Sequence, residues 1–295
     1  MNTDPSKGLV RLRDIPDPKY PPFVIENIVH DVFTVLYARP EAGKGWLALS
    51  LASSLVTGEA WLGSYRVRET HNVAFWTLDG GGSNEIKRRM REHYPELQDM
   101  LVYSGRDWCE DYELAAKQLL AEQVDFLIID NLQRLTPRGR SVRDDDAAET
   151  VLRDLQVFIN HGITVVLLHH SGKPGEDGSP RTTPLGATAI ESYARHFIRI
   201  DRDPSNPTVR NVTSYGNDLE CPEVRISFMI KDSKVVECRS SDADRMKIIL
   251  EGQPWENQKA IADKLGIGQA MVSRIMRRSG YRLDRKSGQV NKVAE

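Results

Sequence analysis

The chain is poor in cysteine, with only 3 residues in 295, and this scarcity excludes a disulfide-stabilised scaffold. Cys109, Cys221 and Cys238 are far apart, and no two of them have the spacing of a metal site. We expect them to be reduced thiols in a cytoplasmic protein, and we do not expect a metal bound through cysteine and histidine.

Long apolar runs are also missing, and no segment approaches the roughly 20 residues that a membrane helix needs. The first residues, MNTDPSKGLVRLRD, lack the apolar core of a signal peptide. We therefore expect no membrane partner. The length predicts one large domain and one small domain. We expect a polar, proline-interrupted N-terminal arm at residues 1–22, the large domain at 23–240 and the small C-terminal domain at 241–295.

The net charge is small, at -2, but it is unevenly distributed. Residues 241–295 carry 11 Lys and Arg against 7 Asp and Glu, or +4, which leaves -6 for the first 240 residues. A basic tail on an acidic body indicates a nucleic-acid partner for the tail, although a solvated charged surface would give the same count.

The strongest motif is VFTVLYARPEAGKGWLALSLA, residues 32–52. Its apolar run up to Tyr37 predicts a buried strand, and the apolar positions from Trp46 onward predict a helix. The loop between them contains Gly43 and Lys44, which is the arrangement of a phosphate-binding P-loop. Such a loop turns backbone N–H groups toward an anion, and its lysine reaches the outer phosphates. A tight strand-to-helix turn without a ligand is the alternative interpretation.

Three further apolar runs, residues 72–78, 124–130 and 163–168, predict buried strands that alternate with helices. This alternation indicates an α/β fold with a mostly parallel sheet flanked by helices. In such a sheet the ligand lies at the C-terminal edge, where Lys44 also falls. The polar residues at the ends of these strands are Asp79, Asp130, His169 and His170.

Asp130 ends a run of four apolar residues, which is typical of a Walker B strand. The carboxylate at that position orients the water shell of the nucleotide-bound metal, so Asp130 is the candidate metal residue. An aspartate that caps a core strand at the surface is the alternative.

The C-terminal residues 257–266 and 269–279 predict two short helices separated by a glycine-containing turn. This is the pattern of a helix-turn-helix, whose second helix lies in the major groove of DNA. Residues 281–293 alternate around a Ser-Gly turn and predict a β-wing. The candidate DNA-binding residues are Gln269, Ser273, Arg274, Arg277, Arg278, Arg282, Arg285 and Lys286. A helical hairpin that only packs against the body is the alternative.

The order of these motifs resembles the RecA/DnaB-like P-loop ATPase superfamily, and most closely the RepA-type hexameric replicative helicases of plasmids and phages. The similarity extends over about residues 21–230 and is most specific at residues 43–48, 61–63 and 168–173. It implies ATP and Mg²⁺ as cofactors and a homo-oligomer, with a hexamer favoured. A single DNA strand in the ring channel would touch the loop 172–184. The implied nucleotide-binding residues are Gly43, Lys44, Gly45, Trp46 and Asp130.

The resemblance also implies catalytic roles. Asp79 matches the glutamate that activates the attacking water, and His169 and His170 match a pair that senses the γ-phosphate. Gly45 departs from the family because it lacks the Ser/Thr hydroxyl that ligates Mg²⁺.

Two more positions depart from the family. Ala38 replaces the first glycine of the P-loop motif, and residues 212–216 lack the basic finger that family members send into a neighbouring site. Arg199 and Arg210 are the candidate substitutes for that finger.

Two functions therefore compete. The first is an ATP-driven replication helicase or helicase loader. The second is a non-hydrolysing DNA-binding initiator or transcriptional regulator that keeps the RecA fold for assembly. We expect a DNA-binding, replication-type protein with a degenerate nucleotide site.

Overall fold

The computed structural model describes most of the 295 residues. The described ranges are 11–14, 22–78, 81–137, 139–142, 144–172, 183–185, 187–203, 206, 208–216, 223–231, 234–237, 246, 249–265, 269–284 and 286–292. The predicted domain boundary at residue 240 lies outside them, and so does most of the predicted N-terminal arm.

The described elements follow the predicted alternation of strands and helices. The strands are β1 (Phe23–Ile25), β2 (Val29–His30), β3 (Phe33–Ala38), β4 (Val73–Thr77), β5 (Leu101–Tyr103), β6 (Phe126–Asp130), β7 (Thr164–His170), β8 (His196–Arg202), β9 (Val209–Gly216), β10 (Val224–Lys231), β11 (Lys234–Glu237), β12 (Tyr281–Leu283) and β13 (Val290–Lys292). The helices are α1 (Lys44–Thr57), α2 (Gly82–His93), α3 (Tyr112–Ala121), α4 (Leu132–Leu135), α5 (Asp145–Asn160), α6 (Ala187–Tyr193), α7 (Gln258–Leu265) and α8 (Gln269–Arg278).

The helix starts have local causes in the sequence. The carboxylate of Asp111 accepts a hydrogen bond from the backbone N–H of Leu114 at 2.9 Å and so caps α3. Helix α5 begins with Asp145 and Asp146, whose negative charges are favourable beside the positive end of the helix dipole.

Nine strands form the central sheet in the order β11-β10-β9-β8-β3-β7-β6-β4-β5. The six strands from β8 to β5 are parallel, and β9, β10 and β11 extend the sheet by antiparallel pairing. The expected mostly parallel sheet is therefore confirmed. The C-terminal ends of β3, β7 and β6 meet at one edge of the sheet.

Each central strand is buried on both faces, which explains why these strands are continuous apolar runs. Leu36, Ile128 and Leu168 pack on one side with α1 and α2, which we name the α1 face. Their neighbours in sequence pack on the other side with α3, α5 and α6, which we name the α5 face. Full burial of a residue such as Phe126 contributes roughly 1.5–3 kcal/mol to stability.

The C-terminal part has a separate hydrophobic cluster. Helices α7 and α8 contribute Ile261, Val272 and Ile275, and the β12–β13 hairpin contributes Val290. The indole N–H of Trp255 donates to the carbonyl of Ile249 at 2.7 Å. Residues 246–292 therefore have an apolar core of their own.

None of the helices within the described ranges has both the length and the apolar composition needed to cross a membrane.

Candidate functional site

The loop between β3 and α1 lies at the C-terminal edge of the parallel sheet. Gly43 has φ 99°, a left-handed conformation that costs a residue with a Cβ free energy, so glycine is needed there. Within the loop, the N–H of Ala42 donates to the carbonyl of Arg39 at 3.3 Å and closes a turn. Helix α1 then begins at Lys44, with its first N–H groups toward this edge.

The side chain of Lys44 is held inside this loop and is only 9% exposed. Its Nζ lies 3.3 Å from the carbonyl oxygen of Ala38, 3.4 Å from that of Arg39 and 3.2 Å from Nδ1 of His170. The ammonium group is therefore fixed between the ends of β3 and β7. A positive charge at this point, beside a helix N-terminus, can bind a phosphate.

The alternation of side chains along the strands decides which predicted residues meet Lys44. On β6, Phe126 and Ile128 pack on the α1 face, so the alternation brings Asp130 to that face as well. On β7, Leu168 packs on the α1 face, and His170 follows it toward Lys44. Lys44, Asp130 and His170 thus share one face of the sheet.

His169 lies on the α5 face and does not contact Lys44. It is 0% exposed, and its Nε2 donates to the carbonyl of Leu185 at 2.8 Å. Burial is the main cause that lowers the pKa of His169 to about 4; the charges of His170 and Lys44 act in the same direction, and the hydrogen bond to Leu185 opposes them. The ring is therefore neutral near pH 7. Among the described residues, its buried Nδ1 has no hydrogen-bond partner. Of the predicted histidine pair, the structure brings only His170 to the loop.

Asp79, the predicted activator of water, lies outside the described residues. Strand β4, which precedes it, ends at the buried Thr77, and β4 pairs with β6 so that Thr77 is opposite Asp130. The strand therefore leads to the edge that carries Asp130.

Gly45 and Trp46 form the first turn of α1, and both contact Arg89 of α2. The guanidinium of Arg89 lies over the Trp46 ring, with its Cζ 5.0 Å from the ring centroid. Its Nη1 lies 2.8 Å from the position that a Cβ on Gly45 would take. A serine or threonine at position 45 would therefore displace this arginine.

The loop fits a phosphate better than it fits the expected Mg²⁺. Lys44, the backbone around Gly43 and the start of α1 provide the donors that an anion needs. Position 45 has no hydroxyl, and Nη1 of Arg89 lies 2.8 Å from where a Cβ at this position would be.

Two arginines of the antiparallel extension support the loop from outside the parallel strands. Nε of Arg210 donates to the carbonyl of Ala42 at 3.1 Å, and Nη2 of Arg202 donates to that of Glu41 at 3.2 Å. Burial lowers the pKa of Arg210, and the charge of Arg202 adds to this effect. Our sequence reasoning missed Arg89 and Arg202, because both are distant in sequence from the loop that they contact.

Arg199, the other candidate finger, lies on the α5 face. Its Nε is 2.7 Å from the carboxylate of Asp201, and Tyr37 hydrogen-bonds Tyr215 nearby at 2.7 Å between the hydroxyl oxygens. Each of the two candidate fingers thus has a partner in its own chain.

A cavity of about 510 Å³ opens beside the loop at the same edge of the sheet. It is bounded by the start of the loop, the end of β7 and the segment that follows β6. The lining residues are Arg39, Pro40, Gln133, Ser141, Val142, His170, Ser171, Gly172 and Leu185. His170 therefore faces both Lys44 and an accessible space.

The predicted DNA-binding residues lie mostly on the surface of the C-terminal part. Val272 and Ile275 of α8 are buried in its cluster, and the side chain of Ser273 hydrogen-bonds that of Gln258. Arg285 and the side chain of Arg278 lie outside the described part. The exposed residues are Gln269, Arg274, Arg277, Arg282 and Lys286.

Comparisons with known proteins agree with this architecture. A family model described as "AAA domain" matches residues 9–176, more than half of the chain. A comparison with curated proteins gave no match. A KaiC-like protein from the hyperthermophilic archaeon Pyrococcus horikoshii has a TM-score of 0.52 and 14% identity, over 75% of this chain and 95% of that one. A DnaB-like replicative helicase has a TM-score of 0.54 and 16% identity, over 70% of this chain and 57% of that one. These similarities establish a RecA-like P-loop ATPase fold.

Proposed function

Because this chain belongs to the AAA domain family, we propose that it binds a nucleoside triphosphate at the Lys44 loop and duplex DNA through residues 241–295. The function is that of a RepA- or DnaB-like ring protein in plasmid or phage replication, with a degenerate ATP site. The observation that carries the proposal is the meeting of Lys44, Asp130 and His170 on one face at the C-terminal edge of the sheet.

Each residue at this edge has a separate task. Lys44 binds the outer phosphates, and the N–H groups at the start of α1 hold the phosphate next to them. Nδ1 of His170 accepts from the ammonium group of Lys44, so the N–H at Nε2 of the same ring is the group that donates to the terminal phosphate. Asp130 orients water at the same face. Trp46 and Gly45 line the loop from the side of Arg89.

The C-terminal part supports a winged helix-turn-helix. Helix α8 enters the major groove, with Arg274 and Arg277 exposed on its outer side, and the β12–β13 hairpin forms the wing. Gln269 and Ser273 contact bases, whereas Arg278, Arg282, Arg285 and Lys286 hold the phosphate backbone.

Nucleotide binding is tested by titrating ATP into the wild-type protein and into Lys44→Ala. We expect the loss of the loop cation to weaken binding about tenfold or more, because hydrogen bonds to charged groups are strong. Lys117→Ala, an exposed lysine on α3, is the matched control and should bind like the wild type. Equal affinity of Lys44→Ala and the wild type would refute the proposed site.

Assembly is tested by sedimentation of the full chain with and without nucleotide and DNA. A ring protein should form homo-oligomers, with a hexamer favoured. A monomer under every condition would refute the ring, together with its channel for a single DNA strand at the loop 172–184.

The second candidate function, a non-hydrolysing initiator or transcriptional regulator, is favoured by the contact between Gly45 and Arg89. A steady-state ATPase measurement with and without DNA separates the two functions. Turnover of about 1 s⁻¹ or more, as typical enzymes show, supports the helicase, and binding without turnover supports the regulator.

A further inference from the structure

Arg89 of α2 lies beside Gly45, the residue that follows the lysine of the loop. In a standard P-loop, the residue after the lysine carries a hydroxyl that ligates Mg²⁺ beside the outer phosphates. Here that residue is Gly45, and Nη1 of Arg89 lies 2.8 Å from where its Cβ would be. A permanent positive charge therefore lies beside the position that would carry the hydroxyl.

The guanidinium is held in this position by two contacts. Its Nε and Nη2 lie 2.8 and 2.7 Å from Oε1 of Glu85, one turn earlier on α2. The Trp46 ring lies under its plane. Glu85 binds the edge of the guanidinium that carries Nε and Nη2, and Trp46 contacts one of its faces. Nη1 is on the remaining edge, which is directed at Gly45. The arginine side chain is 27% exposed, so a ligand can reach it.

Glu85, Arg88 and Arg89 together carry one net positive charge. Glu85 accepts hydrogen bonds from both Arg88 and Arg89, and these bonds hold the pKa of the Glu85 carboxyl below its usual range. One carboxylate is therefore shared between two guanidinium groups. An anion that meets Nη1 of Arg89 meets a net positive charge rather than a neutral pair.

We propose that Arg89 supplies the positive charge that Mg²⁺ supplies in other P-loops, so that the site binds a nucleoside polyphosphate in its metal-free form. The inference rests on the proposed nucleotide binding and deepens it. Lys44 contacts the phosphates from one side, and Arg89 contacts them from the side of Gly45. Gly45 is then required, because any larger residue pushes Arg89 away from the phosphates.

The test is calorimetric titration of ATP and of ADP into the full chain, in excess Mg²⁺ and in EDTA. The wild-type dissociation constant should change by less than about threefold between the two conditions. Arg89→Met keeps the length of the side chain and removes its charge, so it should weaken binding in EDTA about tenfold or more.

Arg91→Met is the matched control, because it removes an exposed guanidinium from the same helix, α2, while Glu85 stays shared between Arg88 and Arg89. It should bind within about twofold of the wild type. The double variant Gly45→Thr/Arg89→Met restores a hydroxyl and frees its space, so its affinity should become dependent on Mg²⁺. Thermal unfolding of each variant verifies that it is folded.

Strictly Mg²⁺-dependent binding by the wild type would overturn the inference and leave the proposed function intact. Equal losses in Arg91→Met and Arg89→Met would also overturn it, since the effect would then come from general charge. A wild-type protein that binds neither nucleotide under either condition would overturn the proposed function, and the inference with it.

Discussion

Two buried histidines should make the folded protein sensitive to mild acid. His169 and His196 are 0% and 1% exposed, and burial lowers the pKa of each from 6.5 to about 4. His196 donates from Nε2 to the hydroxyl oxygen of Ser214 at 2.7 Å, while that hydroxyl donates to the carbonyl of Asn27 at 2.9 Å. His169 donates from Nε2 to the carbonyl of Leu185. Because the pKa of each histidine is lowered to about 4, both rings are neutral near pH 7.

The sign and size of the effect follow from these pKa values. The unfolded chain takes up a proton at each histidine below pH 6.5, whereas the folded protein does so only at about pH 4. The stability from the neutral rings is therefore complete above pH 6.5 and is lost as the pH falls toward 4. The full loss is about 3 kcal/mol for each histidine, and about 2 kcal/mol of it has occurred by about pH 5. Together, the two histidines should lower the free energy of unfolding by about 4 kcal/mol at about pH 5, which is a large part of the free energy of unfolding of a typical domain.

The measurement is the free energy of unfolding from urea titrations between about pH 7 and about pH 5. His196→Gln and His169→Gln each keep a neutral hydrogen-bond donor that does not titrate. Each substitution should therefore reduce the drop in the free energy of unfolding between about pH 7 and about pH 5 by about 2 kcal/mol. Ile198→Val is the control, because it lowers stability by about 1 kcal/mol in the same core at every pH. A double glutamine variant with the same pH dependence as the wild type would refute the reasoning.

Three further predictions concern the loop and the C-terminal part. Gly43→Ala should lower the free energy of unfolding by at least about 1 kcal/mol in urea titrations, because alanine is strained at φ 99°. An unchanged free energy of unfolding would show that alanine is not strained at this position. Ile275→Ala should destabilise the C-terminal cluster by about 2–5 kcal/mol and abolish duplex binding in gel shifts while ATP binding persists; loss of both would show that the two parts depend on each other. Arg274→Ala should relax sequence preference by about 1–3 kcal/mol, whereas Arg278→Ala should weaken all duplexes and lower the salt slope by about 1; full affinity and slope in both would refute DNA reading by α8.

The parallel part of the sheet was predictable because its strands are buried on both faces. Continuous apolar runs predicted β3, β4, β6 and β7 to within about two residues at each end. The antiparallel extension was harder to predict. Strand β9 has polar residues on one face and only Val212 and Ser214 fully buried, so its pattern is weak. The place of residues 212–216 beside β8 depends on tertiary pairing, which a single segment of sequence does not encode.

The histidine pair shows a signal that the sequence contained and that we did not use. Neighbouring residues on a strand point to opposite faces, so His169 and His170 could not both follow Leu168 toward Lys44. The same alternation brings Asp130 to the α1 face. The contacts of Arg202 and Arg210 with the loop had no comparable signal, because about 160 residues or more separate the partners in sequence.

The meaning of Gly45 depends on a residue that the motif does not include. From the sequence, glycine at this position is the loss of a metal ligand, and a single change to threonine should restore it. In the structure, the space for a Cβ is taken by Nη1 of Arg89, which Glu85 and Trp46 hold in place. Because a Cβ at position 45 would lie 2.8 Å from Nη1, Gly45→Thr alone must move the end of the Arg89 side chain, and the cation then stays beside the new hydroxyl. Gly45→Thr alone should therefore bind ATP more weakly than either the wild type or the double variant Gly45→Thr/Arg89→Met. If Gly45→Thr alone gains Mg²⁺-dependent affinity, the Arg89 side chain moves aside without loss of binding, which contradicts this prediction.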